Sequence, residues 1–168
     1  MKKIAVLVEN LYQVLEVWVP YYRLKEAGFE TVLIGTGKGT YQSKEGYPAR
    51  EEISVFEADP DEFDGVVVPG GYAPDHLRRY PEMVQFVREM HQSNKMVAAI
   101  CHGPWMLASA DILKGKKATS FMAIKDDVVH AGAEYIDVPV VVDGNLITSR
   151  TPDDLPDFCH AMIQTLNQ

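Results

Sequence analysis

Residues 96–104 read MVAAICHGP. Five apolar residues run without a polar break into Cys101, His102, Gly103 and Pro104. A run this short and this apolar predicts a strand covered on both faces, as in a parallel sheet. Gly103 and Pro104 predict a sharp turn, and PWMLASADILKG (104–115) continues as a helix with Gly115 as its stop. A strand that turns at once into a helix places a cysteine and a histidine where open α/β sheets bind their ligands, outside the carboxyl ends of the strands.

The same pattern repeats on either side. Upstream, GVVVPGG (65–71) is a second buried strand that ends in paired glycines. KIAVLV (3–8) and TVLIG (31–35) are two more. Between them, apolar residues at 14, 17, 18, 21 and 24 have helical spacing, with Gly28 as the stop and Pro20 as an expected kink. Residues 81–93 form a helix opened by Pro81, and the polar stretch around KEGYPAR (44–50) predicts a short hairpin. Downstream, residues 123–131 are helical. Residues 134–149 hold two strands about the Asp143-Gly144 turn, and Asp154 to Leu166 is the last helix. Strand alternating with helix predicts one α/β domain over residues 1–168, with a mainly parallel sheet between helical layers.

Composition supports that reading. The chain has 168 residues, 46% hydrophobic and 24% charged. A chain of this length forms one domain with a sufficient core and needs no disulfides or structural metal. Its net charge of −8 argues against general nucleic-acid binding, which needs clustered Lys and Arg. No apolar run approaches the roughly twenty residues needed to cross a bilayer. The five apolar residues Ile4 to Val8 end at Glu9, short of the roughly seven to fifteen of a secretory core, so a cytoplasmic protein is expected. Its two cysteines, Cys101 and Cys159, are then free thiols.

Cys101 is the candidate nucleophile. The start of a helix favours thiolate over thiol, so its pKa is expected to be depressed. Cys159, beside Phe158 and three residues before Met162, reads as packing. His102 can act through its ring or through its backbone N–H, next to the nucleophile. Glu16 breaks the apolar run VLEVWVP (14–20), and a carboxyl buried there has a raised pKa. Its helix follows the first strand, so Glu16 can approach Cys101, and the two are expected to share one proton. Gly70 and Gly71 offer backbone N–H groups to a developing oxyanion. Asp75 can orient a histidine or cap a helix. His76, His91, His130 and His160 read as surface residues.

AICHGP (99–104), PGGYAPDHLRR (69–79), the run from Glu16 through PYYRLKEAGFE, and TSRTPDDLP (148–156) occur in order across essentially the whole chain. In these the sequence resembles the PfpI-type intracellular protease and protein deglycase family of the class I glutamine amidotransferase-like superfamily. The resemblance implies a flavodoxin-like three-layer α/β sandwich. It implies Cys101 as nucleophile, Glu16 as its carboxylic partner, His102 as the neighbouring histidine, and an oxyanion pocket at Gly70 and Gly71. It further implies that Asp75 pairs with the histidine of an adjacent subunit in a dimer or hexamer, and that no metal or organic cofactor takes part. Three departures stand out. Tyr12-Gln13-Val14 replaces an acidic stretch, Glu45 in Lys44-Glu45-Gly46-Tyr47 replaces a histidine, and Trp105 replaces a glutamine.

The expected activity is thiolate attack on methylglyoxal, glyoxal or their early adducts with proteins and nucleotides, yielding a hydroxy acid such as lactate. Peptide hydrolysis by Cys101, His102 and a partner's Asp75 is the enzymatic alternative. A stress-response sensor or holding chaperone, in which Cys101 oxidises to a sulfinic acid, is the non-enzymatic one.

Overall fold

A computed structural model describes residues 1–168. The strands are β1 (Lys3–Leu7), β2 (Glu30–Gly35), β3 (Thr40–Gln42), β4 (Pro48–Arg50), β5 (Ile53–Ser54), β6 (Gly65–Val68), β7 (Met96–Ile100), β8 (Lys117–Ala118), β9 (Glu134–Tyr135), β10 (Val140–Asp143) and β11 (Leu146–Ser149). The helices are α1 (Val14–Glu26), α2 (Ala73–Leu77), α3 (Pro81–Gln92), α4 (Pro104–Ser109), α5 (Lys125–His130) and α6 (Leu155–Leu166).

Seven strands form the central sheet in the order β10-β11-β7-β6-β1-β2-β5. All pairs are parallel except β10 with β11, which form the expected hairpin. Every residue of β6 and β7 is buried, because helices cover both faces and leave no side for a polar residue. Helices α1 and α6 pack against each other, while α3 packs with α4. This is the flavodoxin-like sandwich. The sheet's outer strands are short, a two-residue β5 and a four-residue β10, which leaves little unpaired edge. The expected hairpin around residues 44–50 is β3 with β4.

β1 lies between β2 on one side and β6 on the other. The chain thus leaves β1 in one direction for β2 and returns across it to β6, so the sheet order reverses at the β1–β6 seam. Loops leaving adjacent parallel strands diverge at such a point and open a crevice. The loop after β1 leads to Glu16, the loop after β6 holds Gly70 and Gly71, and Cys101 follows β7 next door.

Pro20 lies inside a helix that continues to Glu26, with Val17, Pro20, Tyr21 and Leu24 buried along one face. That burial outweighs the backbone bond that proline cannot make. The helix after Cys101 stops at Ser109 rather than at Gly115, and Asp111 just beyond it has a left-handed φ of 57°. Asp tolerates that conformation better than most residues, so a second turn forms before Gly115 is reached.

Candidate active site

Cys101 has φ = 63°, a conformation that costs a non-glycine residue about 1–3 kcal/mol. The turn is fixed on both sides. The Cys101 N–H donates to Ser149 O at the end of β11, and Cys101 O accepts from the Phe121 N–H. Gly103 is obligatory behind it, because a Cβ there would lie 2.6 Å from Val68 O. The strained turn lifts the sulfur out of the sheet into a cleft of about 260 Å³, lined by Gln13, Glu16, Lys44, Gly71, Tyr72, His102, Phe121 and Pro152. A larger hollow of about 730 Å³ beside α3 shares no residue with this cleft and is lined by no cysteine or histidine.

Glu16 is fully buried, in the first turn of α1. Gln13 caps that turn by accepting the Glu16 N–H through its side chain at 3.0 Å. Glu16 Oε1 accepts the Gly70 N–H at 2.9 Å, while Oε2 is buried with no hydrogen-bond partner. This corrects the expectation that both glycine amides are open. The Gly70 amide is committed to the carboxyl and positions it, whereas the amides of Gly71 and His102 face the sulfur. A Cβ on Gly70 would fall 2.5 Å from Glu16 Oε1 and 2.8 Å from Cys101 Cβ, so only glycine lets acid and thiol meet.

The electrostatics also differ from expectation. Burial, and then the Glu16 charge, push the Cys101 thiol up to about 12, against the pull of the His102 and Gly71 amides and of Lys44. The six-residue helix α4, which begins three residues past Cys101, does not offset this desolvation. Burial pushes the Glu16 carboxyl up to about 8, against the Gly70 N–H, Lys44 and the Cys101 contact. Two such acids in one cleft do not ionise together. The pair loses one proton at about 8 and holds the other to about 12.

This coupling has a consequence for stability. A carboxyl raised from 4.5 to about 8 on folding keeps its proton in the native state while the unfolded chain has already lost it. The native state therefore binds more protons between those values. Its contribution is complete below about 4.5 and is lost as pH rises towards 8. Melting temperatures of the wild type and Glu16→Gln, compared at pH 5 and pH 8, are expected to show an extra wild-type decline of several degrees that the variant lacks.

His102 Nδ1 lies 3.3 Å from Cys101 Sγ. Its ring stacks on Phe121 (centroids 5.1 Å apart) and meets Trp105 edge-on at 5.2 Å. Burial, then the Lys44 charge, lower its pKa, so the imidazole is neutral at pH 7. Trp105, where the family resemblance led to expecting glutamine, holds its own place by donating Nε1–H to Asp127 at 2.9 Å. Asp75 does not reach this site within its own chain. It lies on α2, pairs with Arg79 at 2.6 Å, and its side chain is 47% exposed. Cys159 is fully buried in the core. His130 and His160 are exposed, while His76 and His91 are half-buried rather than fully on the surface.

The sequence reading passed over two parts of this arrangement. Lys44, Tyr72, Phe121 and Pro152 reach the cleft from loops whose course depends on tertiary contacts. Glu9, fully buried, pairs with Lys38 at 3.0 Å and accepts the Asn10 N–H, fixing the loop that leads to Gln13. A carboxyl closing the run IAVLVE was the available signal for Glu9.

Residues 2–165 match the model of the DJ-1/PfpI family. The chain is 43% identical to Deglycase PfpI of Pyrococcus furiosus over 164 residues, covering 98% of this chain and 99% of that one. It is 41% identical to Deglycase PH1704 of Pyrococcus horikoshii, again over 98% and 99%. A two-domain protein from Anabaena variabilis, with a DJ-1/ThiJ/PfpI-like and a ferritin-like domain, superposes with TM-score 0.97 at 46% identity. That match covers 99% of this chain and 48% of the two-domain protein, so this chain spans about half its length.

Proposed function

This chain belongs to the DJ-1/PfpI family, and on that premise we propose that it is a cysteine-dependent hydrolase of the deglycase and glyoxalase type. Its substrates are methylglyoxal or glyoxal and their early adducts with proteins or nucleotides. The observation that carries this reading is the coupling of Cys101 to Glu16, whose Oε2 has no other partner.

In the singly ionised pair the charge rests on Glu16, and the reacting form arises when the thiol proton passes to that carboxylate, leaving the charge on sulfur and the proton on Glu16. Two backbone amides face the sulfur, against one on the carboxyl. The thiolate attacks an aldehyde carbon, an S–C bond forms, and the carbonyl electron pair moves to oxygen. That oxygen takes the Glu16 proton, with the Gly71 and His102 amides beside it. In the thiohemiacetal of a 2-oxoaldehyde, the Glu16 carboxylate moves the proton from the attacked carbon to its neighbour, while the hydroxyl proton of the attacked carbon passes to the neighbouring carbonyl oxygen. Water then cleaves the resulting thioester to release the hydroxy acid and restore the pair. A hemiaminal adduct first expels its amine as the C–N bond breaks and the hydroxyl proton passes to nitrogen, and the aldehyde so formed follows the same course.

The volume supports a small carbonyl compound over a peptide. About 260 Å³ corresponds to fewer than ten waters at roughly 30 Å³ each. The proposal includes assembly as a dimer or hexamer in the cytoplasm, with Asp75 approaching a neighbouring subunit's His102. Lactate release from methylglyoxal and cleavage of labelled casein, run side by side with Cys101→Ala as control, test the activity. Lactate from the wild type alone is expected. Casein cleavage without lactate, or lactate that survives in Cys101→Ala, would overturn it.

A further inference from the structure

One wall of the cleft carries a charge that the proposed reaction does not use. Lys44 is the only Lys or Arg lining it, and it makes no salt bridge. The adjacent Glu45 forms no ion pair with it; Glu45 Oε1 accepts the Val14 N–H at 2.9 Å and closes the start of α1. Lys44 is held over the site by its backbone. Its N–H donates to Tyr12 O at 2.9 Å, and the buried Ser43 accepts the N–H groups of Glu45 and Tyr47 through its Oγ, at 3.1 and 2.9 Å. The ammonium lies 6.0 Å from the centre of the Tyr72 ring, another wall of the cleft. Its charge is felt at all three reacting-site groups, Cys101, Glu16 and His102.

Lys44 and Cys101 line the same small cleft. A ligand whose carbonyl carbon meets Cys101 can therefore present a carboxylate on the adjacent carbon to Lys44. We propose that Lys44 forms an anion subsite that makes the cleft selective for carbonyl compounds bearing a carboxylate next to the reacting carbon, the 2-oxo acids of two or three carbons. The inference rests on the thiol-addition reading above and names the ligand class that site prefers. For glyoxylate the step is simple addition. The S–C bond forms, the aldehyde π bond breaks, and its oxygen takes the Glu16 proton. With no second carbonyl to accept the shifted hydrogen, the adduct goes no further and reverses, so glyoxylate acts as a reversible blocker of Cys101.

The test is protection of Cys101 from iodoacetamide by glyoxylate and by its uncharged methyl ester, followed by mass spectrometry. In the wild type, glyoxylate is expected to protect at about tenfold lower concentration than the ester, the scale of one partly solvated charge-assisted hydrogen bond. Lys44→Met should abolish that preference and Lys44→Arg should retain it. Raising the salt concentration should shrink it in the wild type. Because the ratio compares two ligands on the same thiol, a general change in thiol reactivity cancels. Equal protection by acid and ester in the wild type, or a preference that survives in Lys44→Met, overturns the subsite and leaves the nucleophile standing. Protection by neither compound overturns the thiol-addition reading, and the subsite with it.

Discussion

Cys101→Ser is expected to lower methylglyoxal turnover by about 10⁴-fold or more while leaving the melting temperature nearly unchanged. The substitution keeps the size of the side chain and its place in a fixed turn, so packing has little reason to respond. The chemistry responds because a serine hydroxyl holds its proton far more tightly than a thiol, and Glu16 cannot draw it off near neutral pH. Cys159→Ala is the matched control. That sulfur is buried on α6, on the side towards α1, and its loss should cost stability but change turnover less than about twofold. Measuring kcat/KM and thermal unfolding on both variants separates a nucleophile from a packing residue. Comparable activity losses in the two would remove Cys101 from its assigned role.

The second large effect is expected from Glu16→Gln. The amide matches the carboxyl in shape and can still accept the Gly70 N–H, but it neither takes up nor returns a proton. Turnover is expected to fall by about 10²–10³-fold, the usual contribution of a positioned proton carrier. The fall should appear in kcat more than in KM, because the cleft keeps its walls. Glu16→Ala should be worse, since it also leaves the Gly70 amide buried without an acceptor, at about 1–3 kcal/mol. An activity in Glu16→Gln within a few-fold of wild type would show that the carboxyl only packs.

Much of this was legible in the residues. The four parallel strands β1, β2, β6 and β7 could be read because each is a continuous apolar run, and only burial on both faces explains such a run. Glu16 stood out because it interrupts apolar neighbours, and Cys101 because no spacer separates it from β7. What escaped detection depends on distance in space. The commitment of the Gly70 amide to Glu16 joins residues 54 positions apart. Lys44 enters the cleft because the turn after β3 folds back onto Tyr12, which no local spacing encodes. The sign of the Cys101 shift was misread for a related reason. A helix start is visible in sequence, whereas the burial of the sulfur and its closeness to a second acid exist only in the folded chain. The end of α4 was misplaced because Asp111, not a glycine, takes the left-handed position.

The central claim is that the Cys101 sulfur loses its proton as half of a pair with Glu16. The direct measurement is the pH profile of iodoacetamide alkylation at Cys101, in the wild type and in Glu16→Gln. Simple charge repulsion predicts that removing a neighbouring carboxylate makes the thiol ionise more easily. The shared-proton account predicts the reverse: a wild-type midpoint at about 8, where the pair loses its first proton, and a variant midpoint above the roughly 8.5 of an ordinary thiol. A variant midpoint equal to or lower than that of the wild type would contradict the account.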